Sequence, residues 1–204
     1  MKKLIMLLMA FCLISPMANA ELTKKQEKNI SKMAKNRAKQ LEKEGYTAMG
    51  SLPLYSALEK HYTALENGAL EQIGNGHSKS KNNGRQMCLT YAIAEFASKE
   101  VSQLKGRSVT DGYGNEVDTA NDPEFARFYA AYERLTQKEI KGELKESFSV
   151  CKQLPDGSYE IVMYLTIDKS KVNDRRQKAM DGAIKESGLA KEYAKQVSSF
   201  INEK

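Results

Sequence analysis

The stretch Ser147–Asp168 reads SFSVCKQLPDGSYEIVMYLTID, and its alternation decides the fold class. Two strand-like runs flank Leu154-Pro155-Asp156-Gly157, where proline in the second place and glycine in the fourth suit a type I turn. In the second run Tyr159, Ile161, Met163, Leu165 and Ile167 fall on one face, because successive side chains of a strand point to opposite sides. Val162 and Tyr164 make the other face partly apolar, so helices are expected to cover one face and shield part of the second.

On either side of this hairpin the periodicity is helical. From Thr23 to Glu44, Ile30, Ala34, Ala38 and Leu41 recur three or four apart and Gly45 stops the run. Lys24, Lys25, Lys28, Lys32, Lys35, Lys39 and Lys43 take much of the remaining surface, offset only by Glu27, Glu42 and Glu44. Pro53 suits the first turn of a short helix carrying Leu54, Leu58 and Tyr62, which ends at Gly68. The segment 69–81 reads as a weak strand. Residues 85–105 are apolar over more than half the helical circumference and predict a central helix. A glycine-containing loop leads to Asp122-Pro123, a cap and first-turn pair opening a helix with Phe125, Phe128, Tyr129, Tyr132 and Leu135 on its stripe. Helix returns from Val172, is interrupted near Gly188 and finishes with Leu189, Tyr193, Val197, Phe200 and Ile201 at helical spacing. The order predicts an α+β fold, with helices packed on a small antiparallel sheet.

The N-terminus has the three parts of a secretory signal peptide: Lys2 and Lys3, the apolar run Leu4–Ile14, and the small-residue triplet Ala18-Asn19-Ala20. The apolar run is shorter than the ~20 residues of a membrane-spanning helix. Cleavage after Ala20 and a periplasmic or secreted location are therefore expected. Cys12 suggests lipidation, but Phe11 is bulky where a lipoprotein peptidase requires a small residue, and the sequence stays apolar beyond it. The expected organisation is a leader over 1–20, a basic helix over 21–50 and a single α+β domain over 51–204, with no transmembrane segment in the exported chain.

Losing Lys2 and Lys3 lowers the formal net charge from +6 to +4 on a chain rich in both signs, too mild a bias for a nucleic-acid binder. Cys88 and Cys151 remain. Export would allow a disulfide between them, yet both positions equally suit small buried thiols, since one falls in an apolar helix and the other in a strand.

Residues 39–62, KQLEKEGYTAMGSLPLYSALEKHY, resemble the N-terminal part of uncharacterised exported proteins common in Bacteroidetes. The Ile73-Gly74-Asn75-Gly76 piece, the helix through Ala92, Ala94 and Ala97, and the hairpin ending Val162-Met163-Tyr164-Leu165 are similar to small bacterial surface lipoproteins. The resemblance covers most of the exported chain and rests on segment order. It implies an envelope location and an α+β fold, and no activity, ligand or cofactor.

No catalytic set assembles. The chain lacks G-x-S-x-G, and His61 and His77 read as surface residues. With Cys88 and Cys151 they match the ligand count for zinc but lack the paired spacing of zinc sites. Asp111, Asn115, Glu116 and Asp118 offer oxygen ligands to calcium within one loop, at spacings that miss the EF-hand. No cofactor or metal is expected. The sequence points to a non-enzymatic envelope module that binds an envelope protein or an anionic envelope surface through its sheet edge or its basic helix. The alternative is an envelope enzyme with a carboxylate- or lysine-based site.

Overall fold

The computed structural model describes residues 22–110, 123–189 and 194. The sequence readings at the leader, at Asp111, Asn115, Glu116 and Asp118, at the Asp122 cap and beyond Leu189 fall, apart from Ala194, outside them. Along the chain run α1 (Lys24–Lys43), β1 (Thr47–Ala48), α2 (Leu54–Glu66), β2 (Ala69–Ser78), α3 (Lys81–Thr110), α4 (Pro123–Ile140), β3 (Lys145–Gln153), β4 (Tyr159–Asp168) and α5 (Lys169–Ser187). The strands form one antiparallel sheet in the order β1-β3-β4-β2. The α+β fold class expected from the sequence is the one observed.

The hairpin β3–β4 is the centre of the sheet. Its turn closes with the Gly157 N–H on the Leu154 carbonyl at 3.0 Å and the Leu154 N–H on the Ser158 carbonyl at 2.8 Å. Gly157 takes φ +79°, the left-handed conformation that completes a three-residue hairpin loop built on a type I turn. The weak strand is stronger than the sequence suggested. As β2 it pairs with β4 over ten residues, Ala69↔Asp168 to Ser78↔Tyr159.

Helices cover both faces of the sheet. On one, α3 lies over β2 and β4, and Cys88, Ala92, Ile93 and Phe96 pack on Ile161, Met163, Leu165 and Ile167. This contact is backbone on backbone. A Cβ at Gly74 would lie 2.1 Å from the Cys88 carbonyl oxygen, one at Gly76 would lie 2.4 Å from the Gly84 carbonyl, and one at Gly84 would lie 2.4 Å from Ile161 Cδ1.

The second face, expected to be only partly shielded, is covered by α1 and α2. Ala34, Ala38, Leu41, Leu54, Ala57 and Leu58 pack on Phe148, Val150 and Tyr164. Thr23 and Gln26 form a capping box at the start of α1. At its end the Gly45 N–H bonds the Glu42 carbonyl at 3.0 Å and the Tyr46 N–H bonds the Leu41 carbonyl at 2.9 Å, a Schellman stop with Gly45 at φ +87°.

Beyond the sheet, the far part of α3 joins α4 and α5 in a second core of Val101, Leu104, Phe125, Phe128, Tyr129, Tyr132 and Met180. Arg176 of α5 forms a two-pronged pair with Glu100 of α3, which is 7% exposed. Arg175 and Lys171 of α5 both reach Glu143 and hold its carboxyl below the usual range, Arg175 contributing most.

The same chemical change at two glycines of this fold is expected to act with opposite sign. Gly74→Ala inserts a methyl group into the Cys88 backbone, which has no free rotamer with which to yield, and should cost about 3 kcal/mol. Gly106→Ala, where a Cβ meets nothing within 4 Å in the interior of α3, should add about 1 kcal/mol. Urea unfolding midpoints measure both, and an unchanged midpoint for Gly74→Ala would contradict the close approach.

Candidate functional site

The strongest concentration of like charge in the described structure lies on α1. Its inward stripe consists of the four residues picked out by spacing, with Ile30, Ala34, Ala38 and Leu41 at most 5% exposed. The seven lysines at positions 24, 25, 28, 32, 35, 39 and 43 are all exposed. At roughly 100° of rotation per residue they fall within an arc of about 100° on the side away from the stripe. Lys25 to Lys43 form a ridge about 27 Å long.

Eight basic residues of α1 stand against Glu27 and Glu42, an excess equal to the formal net charge of +6 of the entire chain. Arg37 is apart from the ridge and donates to the Tyr164 hydroxyl at 2.9 Å, beside the sheet. Among the described residues no carboxylate lies within ion-pair distance of a ridge lysine.

This arrangement carries an energetic cost. Lys24–Lys28, Lys28–Lys32, Lys35–Lys39 and Lys39–Lys43 are like charges four apart, each destabilising a helix by about 0.2–0.5 kcal/mol. Burial of Ile30 and Leu41 returns about 1.5–3 kcal/mol for each side chain, so packing wins and the helix persists with its repulsion intact. An external anion array would relieve that repulsion. Lysine ammonium groups on flexible stems suit phosphate groups at variable positions better than one stereospecific ligand.

The remaining sequence candidates are dispersed. His61, expected at the surface, is 1% exposed. The buried stripe of α2 is Leu54, Ala57, Leu58 and His61, which turns His61 inward and leaves Tyr62 partly buried beside it. The His61 ring packs on Phe148 and Tyr164, and its Nε2 lies 2.7 Å from Glu71 Oε1. His77 is exposed, beside the hairpin turn, with Nε2 bonded to Ser158 Oγ. Among the described residues no three His, Cys, Asp or Glu side chains gather as a metal-binding group.

Cys88 and Cys151 belong to one core cluster and are free thiols; the disulfide that the sequence left open is not formed. The register explains it. Cys151 lies opposite Ile161, which lies opposite Gly76, and the Cys88 Sγ sits above Gly76. The two cysteines thus stand two strand spacings apart, roughly 9–10 Å, where a disulfide spans about 4.4–6.8 Å between Cα atoms. Cys88 Sγ is 3.4 Å from the Ile161 carbonyl, and burial pushes its thiol up to about 11.

Fold and face together define an α+β domain that presents one strongly basic helical surface. No family model, curated protein or solved structure matches the chain.

Alkylation of the two thiols reads their state directly. Iodoacetamide under native conditions near neutral pH is expected to leave the mass of a chain beginning at Glu21 unchanged over minutes, because both thiols are buried. Denaturation without reductant should then yield two adducts by mass spectrometry; no adduct would mean that the bond exists and the strands sit differently.

Proposed function

We propose that the protein is an exported, non-enzymatic envelope module that rests on an anionic phospholipid surface through the lysine ridge of α1. The observation that carries this reading is the ridge itself: seven exposed lysines on one side of a helix, without carboxylate partners among the described residues. Export follows from the leader ending at Ala20, and the resemblance of residues 39–62 to exported envelope proteins agrees with it.

Attachment of this kind is electrostatic and peripheral. The apolar stripe of α1 is used in the core, and Met33, 52% exposed, is the large apolar residue that α1 presents to solvent. No described helix is long and apolar enough to cross a membrane. Each lysine near an anionic leaflet contributes about 1 kcal/mol, and the attraction fades within a Debye length of about 8–10 Å. Several lysines on one straight ridge reach the surface together, so their contributions act on a single orientation of the domain.

Co-sedimentation with vesicles tests the reading. The exported chain is expected to bind vesicles containing phosphatidylglycerol, to ignore pure phosphatidylcholine vesicles, and to be released as sodium chloride rises from 50 to 300 mM. Replacing Lys28, Lys32, Lys35 and Lys39 by Gln should weaken binding about a hundredfold or more. The same variant should be at least as stable as the native chain, since like-charge pairs are removed. Equal binding by native and quadruple-Gln proteins, or equal binding to charged and uncharged vesicles, would refute the assignment.

A further inference from the structure

A second surface, away from the lysine ridge, has the geometry of a strand receptor. β1 covers only part of β3: Thr47 lies opposite Cys151, Ala48 opposite Val150, and the Met49 N–H bonds the Ser149 carbonyl at 2.8 Å. From Phe148 back to Lys145, β3 is paired with β4 on one side and, among the described residues, has no partner strand on the other. A row of main-chain donors and acceptors on such an edge is a template for another extended chain.

Two cavities open beside this uncovered segment, one on each face of the sheet. The first, about 410 Å³, lies on the α3 side, with Asn82, Arg85, Gln86 and Leu89 above Glu146 and Leu165. The second, about 300 Å³, lies on the α2 side between Met49, Leu52, Ala57 and Phe148. Glu146 borders both. A bulge at Ser147 reverses the alternation of β3, so that Glu146 pairs with Leu165 of the α3-side core while Phe148 pairs with Tyr164 of the α1–α2 core.

The α3-side cavity has a polar wall whose charges are matched within it. Arg85 Nη2 is paired with Glu146, whose other oxygen accepts from Ser149 Oγ at 2.6 Å, and Asn82 and Gln86 of α3 line the cavity beside this pair. Because Glu146 already matches the guanidinium charge, the group that fits beside Asn82 and Gln86 is neutral, an amide or hydroxyl, rather than a second carboxylate.

We infer that the open edge of β3 takes up an extended peptide segment of another protein by strand addition, in line with β1. Main-chain hydrogen bonds to residues 145–148 provide the affinity, and alternate side chains enter the two cavities. An amide or hydroxyl side chain enters beside Arg85, and its neighbour, small and apolar, enters between Met49, Leu52 and Phe148.

A random seven-residue peptide display library, selected against the exported chain in solution, tests this without any membrane. The enriched peptides are expected to alternate Asn, Gln, Ser or Thr with small apolar residues. They should shift the backbone amide resonances of Lys145–Ser149 in NMR titration. Methylation of the peptide nitrogens that face β3 should weaken binding tenfold or more. Leu52→Asp, a change at a residue 42% exposed that leaves the core untouched, should weaken it at least fivefold. The quadruple-Gln variant of α1 should bind the same peptides as the native chain, which separates failure here from failure of the membrane reading. The inference is overturned if no peptide is enriched, if N-methylation makes no difference, or if the free chain forms a concentration-dependent dimer that itself protects Lys145–Phe148.

Discussion

The position of α3 on β2 is the constraint on which the rest of the molecule depends. At Gly74 the Cα hydrogen occupies the place where any side chain would strike the Cys88 carbonyl, and Gly76 and Gly84 extend the same close approach. A helix held backbone to backbone has little freedom to slide or roll. Its thirty residues, about 45 Å long, exceed the roughly 33 Å of the ten-residue strands beneath. The surplus therefore leaves the sheet and must find its own cover, which α4 and α5 supply. The buried pair of Arg176 and Glu100 ties this second core back to α3, and Arg175 and Lys171 on Glu143 tie α5 to the chain leading into β3.

The same constraint decides what was readable from sequence. The hairpin was legible because the apolar residues of β4 alternate without interruption, and the α1 stripe because all four of its buried positions obey helical spacing. β2 was faint for the reason that makes it central: Gly74 and Gly76 carry no side chains to show an alternation, although α3 packs directly on both. Glycines in a strand can mark the approach of another backbone, and that was the available signal. His61 escaped because apolar periodicity selected Tyr62, one residue further along. Its inward turn is made tolerable by Glu71, a strand residue ten positions on, a contact that no local pattern encodes. The lysine side of α1 was visible residue by residue. Its isolation from carboxylates was not, because that depends on where the acids of every other element point.

Two surfaces thus arise from different physical causes. The ridge on α1 is a matter of segregation: apolar residues inward, lysines outward, with acids elsewhere. It survives because the buried side chains outweigh the repulsion between neighbouring ammonium groups. The edge of β3 is a matter of incompleteness: main-chain groups that the sheet itself leaves unmatched, bordered by space on either side.

One short segment connects them. After α1 stops at Gly45, the chain supplies β1, and the length of β1 determines how much of β3 is covered. Gly50-Ser51-Leu52-Pro53 ends that cover. Pro53 has no N–H to donate to a ladder and caps α2, so a strand in place of this turn could not have run on past it. Had this segment continued as strand for four more residues, Lys145–Phe148 would be paired, the α2-side cavity would lose Met49 and Leu52 from its wall, and the sheet would be closed. The turn that leads into α2 is therefore also what leaves the edge of β3 uncovered by β1, beside a helix whose outer face is fixed by the packing of its inner one.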